Sequence, residues 1–101
     1  MTVVLQVDFS MPAEMLGENL SKSAQPLAES ITREPGFISK VWTENQQTNE
    51  AGGIYFFTDR ASAEKYWEMH QARLSGFGVN NARARIFDIN VPLTQITKGQ
   101  C

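Results

Sequence analysis

The chain has 101 residues, 42% of them hydrophobic and 20% charged, and a net charge of −2. That balance fits one folded domain and excludes a disordered chain and the basic footprint of a nucleic-acid binder. No apolar run nears the ~20 residues of a membrane helix, and a lone thiol, Cys101, cannot close an intramolecular disulfide, which suits a reducing, cytoplasmic compartment.

Residues 2 to 9, "TVVLQVDF", alternate, with Val3, Leu5, Val7 and Phe9 on one face and Val4, Gln6 and Asp8 on the other. That pattern predicts a half-buried strand. The start "MTVVLQVDFS" has neither a basic region nor a small-residue cleavage site, so it reads as strand rather than signal peptide. Ser10 as cap and Pro12 in a first turn predict a helix carrying the stripe Leu16, Leu20, Ala24, Leu27 and Ile31. Pro26 inside the stripe predicts a kink, or two helical pieces, near residues 22 to 26.

"EPGF" at 34 to 37 turns the chain into a second strand, "FISKVWTEN". The polar "QQTNE" leads to a third, "AGGIYFFTD". Glycine disfavours a strand because it orders more backbone and packs no side chain. Gly52 and Gly53 therefore predict a hairpin bulge, or else missing side-chain volume at the mouth of a cavity.

Asp59 is a helix cap ahead of the stripe Ala63, Trp67, His70 and Leu74, with Tyr66 beside it and Gly76 as a stop. Gly76 and Gly78 around Phe77 read as a mobile lid or a plain connection. "ARARIFDIN" is the last strand, with Arg83, Arg85, Phe87 and Ile89 set against Ala82, Ala84, Ile86 and Asp88. Residues 90 to 101 are expected to form a tail that reaches a partner or frays.

Strand, helix, strand, strand, helix, strand with right-handed crossovers gives an α+β, ferredoxin-like antiparallel sheet of order 4-1-3-2. Both helices cover one face. The other is expected to carry Val4 and Ile86, with Gln6, Asp8, Lys40 and Glu44 nearby. Such a face is too apolar for water. A second copy's sheet is the simplest cover, so the chain is expected to be a two-fold homodimer.

"LAESI", "EPGF", "KVWTE", "AGGIY", "FTD" and a His followed by "RL" resemble the YdhR family of monooxygenases, in matching order from Val3 to Leu93. That family belongs to the dimeric α+β barrel superfamily, with antibiotic-biosynthesis-type monooxygenases, chlorite-dismutase-like haem proteins and stress-induced barrels. The resemblance implies a homodimer whose two sheets form a barrel. It also implies an oxygenase of phenolic or other aromatic small molecules that uses no flavin, haem or metal. Related cofactor-free oxygenases use tryptophan, asparagine and arginine around a phenol; tryptophans and arginines have counterparts here, and the asparagine has none that can be placed.

The residues themselves exclude several other chemistries, and the roles assigned to the rest are those that the cofactor-free oxygenation implied by the resemblance would need. There is no nucleotide-binding glycine motif and no nucleophile elbow. One histidine and a terminal cysteine cannot build the usual zinc sets, although a single histidine is enough for an axial haem ligand. A substrate that supplies its own electrons, once deprotonated, needs a protein that holds a ring, takes a proton and steadies an anion. His70 is the candidate for proton transfer, with Tyr55 as the pocket's other polar group. Arg85 or Arg83 would steady an anion, and Trp42, Phe56 and Trp67 would hold the ring. The catalytic set is then His70, Tyr55 and Arg85, and the substrate-binding set Trp42, Phe56, Trp67 and Arg83. Each has a structural alternative. Trp67, Tyr66 and His70 also suit a core, Trp42 a dimer interface, and the two arginines ion pairs with Glu44 or Asp8. The competing function is a non-catalytic barrel that binds a small apolar ligand or serves in stress response.

Overall fold

The structure is a computed structural model that describes residues 1–99. Cys101, the lone thiol of the sequence, lies outside the described residues. Four strands, β1 (Val3–Ser10), β2 (Phe37–Asn45), β3 (Glu50–Phe57) and β4 (Arg83–Asp88), form one antiparallel sheet in the order β2-β3-β1-β4. This is the ferredoxin-like arrangement expected from the order of elements, with β1 and β3 central.

The helical layer begins differently from the sequence reading. Ser10 is the last residue of β1 rather than a cap, and a short 3-10 turn, Ala13–Met15, follows Pro12. Gly17, at φ 64°, then opens α1 (Glu18–Ser23). Ala24 closes α1 and begins α2 (Gln25–Ile31), whose first turn holds Pro26. Proline has no N–H to continue the helical ladder, which is why the break falls there. α3 (Arg60–Gly76) starts at Asp59, whose Oδ1 accepts the Ser62 N–H at 2.7 Å. Those bonds also hold the Asp59 carboxyl below its ordinary range. α4 (Val91–Ile96) occupies much of the expected tail and is capped by Asn90. No helix among the described residues is long and apolar enough to cross a membrane.

Val3, Leu5 and Val7 of β1 and Tyr55 and Phe57 of β3 point toward the helices, where Ile31, Ala63 and Tyr66 meet them. Fully burying each large apolar side chain contributes about 1.5–3 kcal/mol. The inward row of α3 is Ala63, Tyr66, His70 and Leu74. Tyr66 is buried and Trp67 only partly so, a rotation of the stripe from the sequence reading.

The register corrects the assignment of faces at two places. β2 carries a bulge at Ile38, so that Phe37 faces Phe57 and Ser39 faces Phe56. The extra residue reverses the alternation: Phe37, Lys40, Trp42 and Glu44 all lie on the helix side, and Val41 lies on the open side. Lys40 and Glu44 therefore do not belong to the open face. Ile86 is opposite Leu5 and is also on the helix side, while Phe87 and Arg85 are on the open side.

Candidate active site

The two glycines of β3 make no bulge, since β3 runs in unbroken register with β1 through both. They make room. A Cβ on Gly52 would overlap the Val7 carbonyl oxygen of β1. A Cβ on Gly53 would stand 2.5 Å from Lys40 Cε and 3.1 Å from Tyr55 Cε1. Only glycine lets the Lys40 side chain lie across the strand at this point.

That gap opens onto a cavity of about 600 Å³ between the helical layer and the sheet. Leu20 and Leu27 wall one side, Trp42, Tyr55 and Lys40 the sheet, and His70 and Leu74 the α3 side. Phe77 and Val79 line it too, Phe77 being 69% exposed. The chain leaves α3 there through Gly78, at φ 88°. The volume and the largely apolar lining are those of a small-molecule site.

Lys40 and His70 are the titratable cationic side chains of this lining. Lys40 Nζ lies 3.2 Å from the centroid of Trp42 and 4.5 Å from that of Tyr55. Burial, with the Arg73 guanidinium adding repulsion, lowers its ammonium from the ordinary 10.5 to about 7. The ring faces attract the cation and oppose that trend. Both forms of the amine are thus within reach near neutrality.

His70 is 3% exposed and stacks on Tyr66 at 5.1 Å. Its Nδ1 lies 3.2 Å from Arg73 Nε and 3.0 Å from Arg73 Nη2. Guanidinium only donates, so Nδ1 accepts and the ring proton sits on Nε2. Burial, then Arg73 and Lys40, lowers the imidazole to about 3. At neutral pH it is an uncharged ring whose basic lone pair is occupied. Burial also pushes the Tyr55 and Tyr66 hydroxyls above the usual phenol range, and the Tyr66 oxygen has no hydrogen-bond partner among the described residues.

Of the residues singled out from sequence, Tyr55, His70 and Trp42 meet in this cavity. Trp67 contacts the His70 ring edge at 6.3 Å but packs against the core cluster. Phe56, Arg83 and Arg85 are on the open face of the sheet, away from it. Arg83 Nε donates to Asp8 Oδ1 at 2.8 Å, and Arg83 also lies 3.6 Å from Glu50. Lys40 and Arg73 were the residues that sequence reasoning missed. Arg73 was legible as the residue three after His70 on a helix; Lys40 was hidden by the bulge. No cluster of three or more His, Cys, Asp or Glu side chains that could hold a metal ion occurs among the described residues.

A family model described as "Putative mono-oxygenase ydhR" matches residues 4–100. Among solved structures, one described as a "putative antibiotic biosynthesis monooxygenase" from Nitrosomonas europaea aligns with a TM-score of 0.66 at 15% identity, covering 90% of this chain and 92% of that one. SnoaB from Streptomyces nogalater, a cofactor-independent oxygenase crystallised as the N63A mutant, aligns with a TM-score of 0.62 at 16% identity, over 88% and 93%. MhuD, a heme-degrader of Mycobacterium tuberculosis with two hemes in its active site, aligns at 0.62 and 17%, over 87% and 95%. These likenesses establish a shared fold. Among curated proteins, none matches the chain significantly by sequence.

Proposed function

Because the chain belongs to the ydhR mono-oxygenase family, we propose that it oxygenates a phenolic or quinol-like aromatic without flavin, haem or metal. The observation that carries this reading is the aromatic-walled cavity of about 600 Å³ beneath the helices. A deprotonated phenol of this class is electron-rich enough to pass electrons to oxygen directly. For a substrate with a reactive CH₂, the balanced change is CH₂ + O₂ → C=O + H₂O, both electron pairs coming from the substrate. The protein's share is to stack the ring on Trp42, exclude water and hold the anion. Tyr55 and neutral His70 contribute as hydrogen-bond donors, since neither is poised to take a proton near pH 7. SnoaB, described as a cofactor-independent oxygenase, is a precedent for such chemistry on this fold.

The same proposal includes a homodimer with the two open faces packed into a barrel and the tail that contains α4, residues 90–99, as the arm. Val41 is 56% and Phe87 45% exposed on that face, with Phe56 and Ile54 beside them, and a covered partner surface would remove them from water. A cytoplasmic setting follows from the lone cysteine.

Oxygen uptake by metal-free protein, measured against a panel of hydroxylated aromatics, tests the reading. One O₂ consumed per carbonyl formed, without hydrogen peroxide, is the expected result. Tight binding of several phenols with uptake no faster than in protein-free buffer would overturn it in favour of a ligand-binding barrel.

A further inference from the structure

Lys40 is a lysine enclosed among rings with no carboxylate against it. Among the described residues no Asp or Glu forms an ion pair with it. The nearest acid along β2 on the same face, Glu44, is engaged through Oε1 by the Gly17 N–H at 3.0 Å. The side chain lies over Trp42 and Tyr55 in the space that Gly53 vacates. A cation in such a place is attracted by ring faces but lacks an anion.

The groups that face Lys40 come from two elements besides its own. β3 supplies Tyr55, whose hydroxyl burial holds protonated. α3 supplies His70, whose Nδ1 is taken by Arg73, and Arg73 itself, permanently charged. The parts of α1 and α2 that line the cavity, Leu20, Ser23, Ala24 and Leu27, carry no charge. Of all these, only the Lys40 amine has both a free lone pair to offer and a charge to gain.

We propose that Lys40 is the proton acceptor and anion anchor for the substrate: its amine takes the proton of an entering phenolic hydroxyl, and the ammonium formed pairs with the phenolate oxygen. In the balance, ArOH + H₂N–Lys40 becomes ArO⁻ · ⁺H₃N–Lys40, with no co-reactant. The near-neutral amine supports the same assignment, as does the ring pair, which stabilises the ammonium once it forms. The substrate class thereby narrows to aromatics with an acidic hydroxyl that can reach the sheet wall beside Trp42. The assignment rests on the oxygenase reading for the turnover it would serve, but the proton transfer is observable on its own.

The test uses 4-nitrophenol, whose phenolate absorbs visibly, and 4-nitroanisole, its non-ionising counterpart. Bound to the wild-type protein, 4-nitrophenol should ionise at a pH at least about one unit below its free value, a tenfold preference for the phenolate. In Lys40→Met the displacement should vanish, while 4-nitroanisole still binds within about twofold, showing that the cavity is intact. Lys40→Arg should bind the phenolate yet lose turnover about 10²–10⁴-fold, because guanidinium cannot take the proton. The proposal is overturned if the displacement persists in Lys40→Met. It is equally overturned if the wild type binds nitroanisole but leaves the phenol's ionisation unmoved, or if it binds neither probe. A wild type that shows the displacement but consumes no oxygen sinks the oxygenase reading and leaves the Lys40 anchor standing.

Discussion

The two faces of the sheet are built from the same four strands and behave as different materials. On the helix side Leu5, Tyr55 and Phe57 are at most 1% exposed, and the two titratable groups enclosed in the cavity there, Lys40 and His70, are displaced far from their ordinary pKa values. On the open side of the single chain Val41 and Phe87 are exposed, and Arg83 meets Asp8 and Glu50 at side-chain exposures between 36% and 69%. Alternation along each strand, reset once by the bulge in β2, separates the two. Placing a residue one position along a strand decides whether its charge is desolvated, and so whether it can do chemistry or only pair.

The comparison breaks most visibly with pH. An unfolded imidazole takes its proton near 6.5, and the folded His70 does so only near 3. Between those values the unfolded chain binds more protons, so stability falls as pH drops through that window. For Lys40 the unfolded amine titrates near 10.5 and the folded one near 7. The unfolded chain again binds more protons between them, so stability rises as pH climbs from 7 to 10.5. Each effect should be roughly 2–4 kcal/mol, allowing for incomplete burial. Denaturant melts from pH 3.5 to 10 check this. Lys40→Met should remove the alkaline rise and His70→Phe the acid fall. Parallel curves for wild type and both variants would show that the covered face does not desolvate these groups.

A second contrast lies inside β3. Gly52→Ala drives a methyl into the β1 backbone at Val7, which cannot yield without moving a central strand. A loss of about 1–3 kcal/mol or more is expected. Gly53→Ala meets the mobile end of Lys40 instead. It should cost less than about 1 kcal/mol but displace the amine, so that 4-nitrophenol ionisation returns toward its free value. Equal melting temperatures for the two variants would show that both sites relax alike.

The neighbouring glycines also mark where sequence reading succeeds and fails. Strand order, the break at Pro26 and the Asp59 cap were legible because each has a local cause: alternation, a missing N–H, a side-chain oxygen at a helix start. The open-face position of Val4 was legible from parity too, but the parity of β4 was taken the wrong way round: Arg85 and Phe87, not Ile86, share that face. The face of Lys40 was not legible. It depends on one extra residue at Ile38, in a stretch that holds no glycine or proline to signal a bulge. Counting from Phe37 without that residue groups Val41 with the core and sends Lys40 to the wrong side. The pairing of Lys40 with Tyr55 and His70 spans three elements, and no local pattern encodes it. The sequence reading therefore chose His70 as the base, whereas the folded chain occupies its lone pair with Arg73 and leaves an amine free.

The open face can be tested by making it polar. Val41→Glu with Phe87→Glu should shift light scattering from twice the chain mass toward one chain mass. The association constant should weaken roughly 10–100-fold, about 1.4–2.8 kcal/mol. Phenol binding in the cavity should survive, since neither residue lines it. A wild type that is monomeric at micromolar concentration would remove the dimer from the proposal. Loss of phenol binding on dissociation would instead tie the covered face to the open one.

Arg83 supplies the smallest expected effect and the sharpest check on the division between faces. Read from sequence, it was a substrate-binding arginine; in the fold it is 69% exposed and fixed between Asp8 and Glu50. Solvent screens such a pair, and Arg83→Ala should cost no more than about 1 kcal/mol. Its effect on stability should shrink in high salt, as exposed ion pairs do. Turnover and KM should stay within about twofold, because no atom of the cavity depends on it. A tenfold rise in KM with kcat unchanged would mean that the substrate also touches the open face. The proposed substrate would then reach past Lys40 to the sheet edge, and the proposed separation of a chemical face from an associating face would no longer hold.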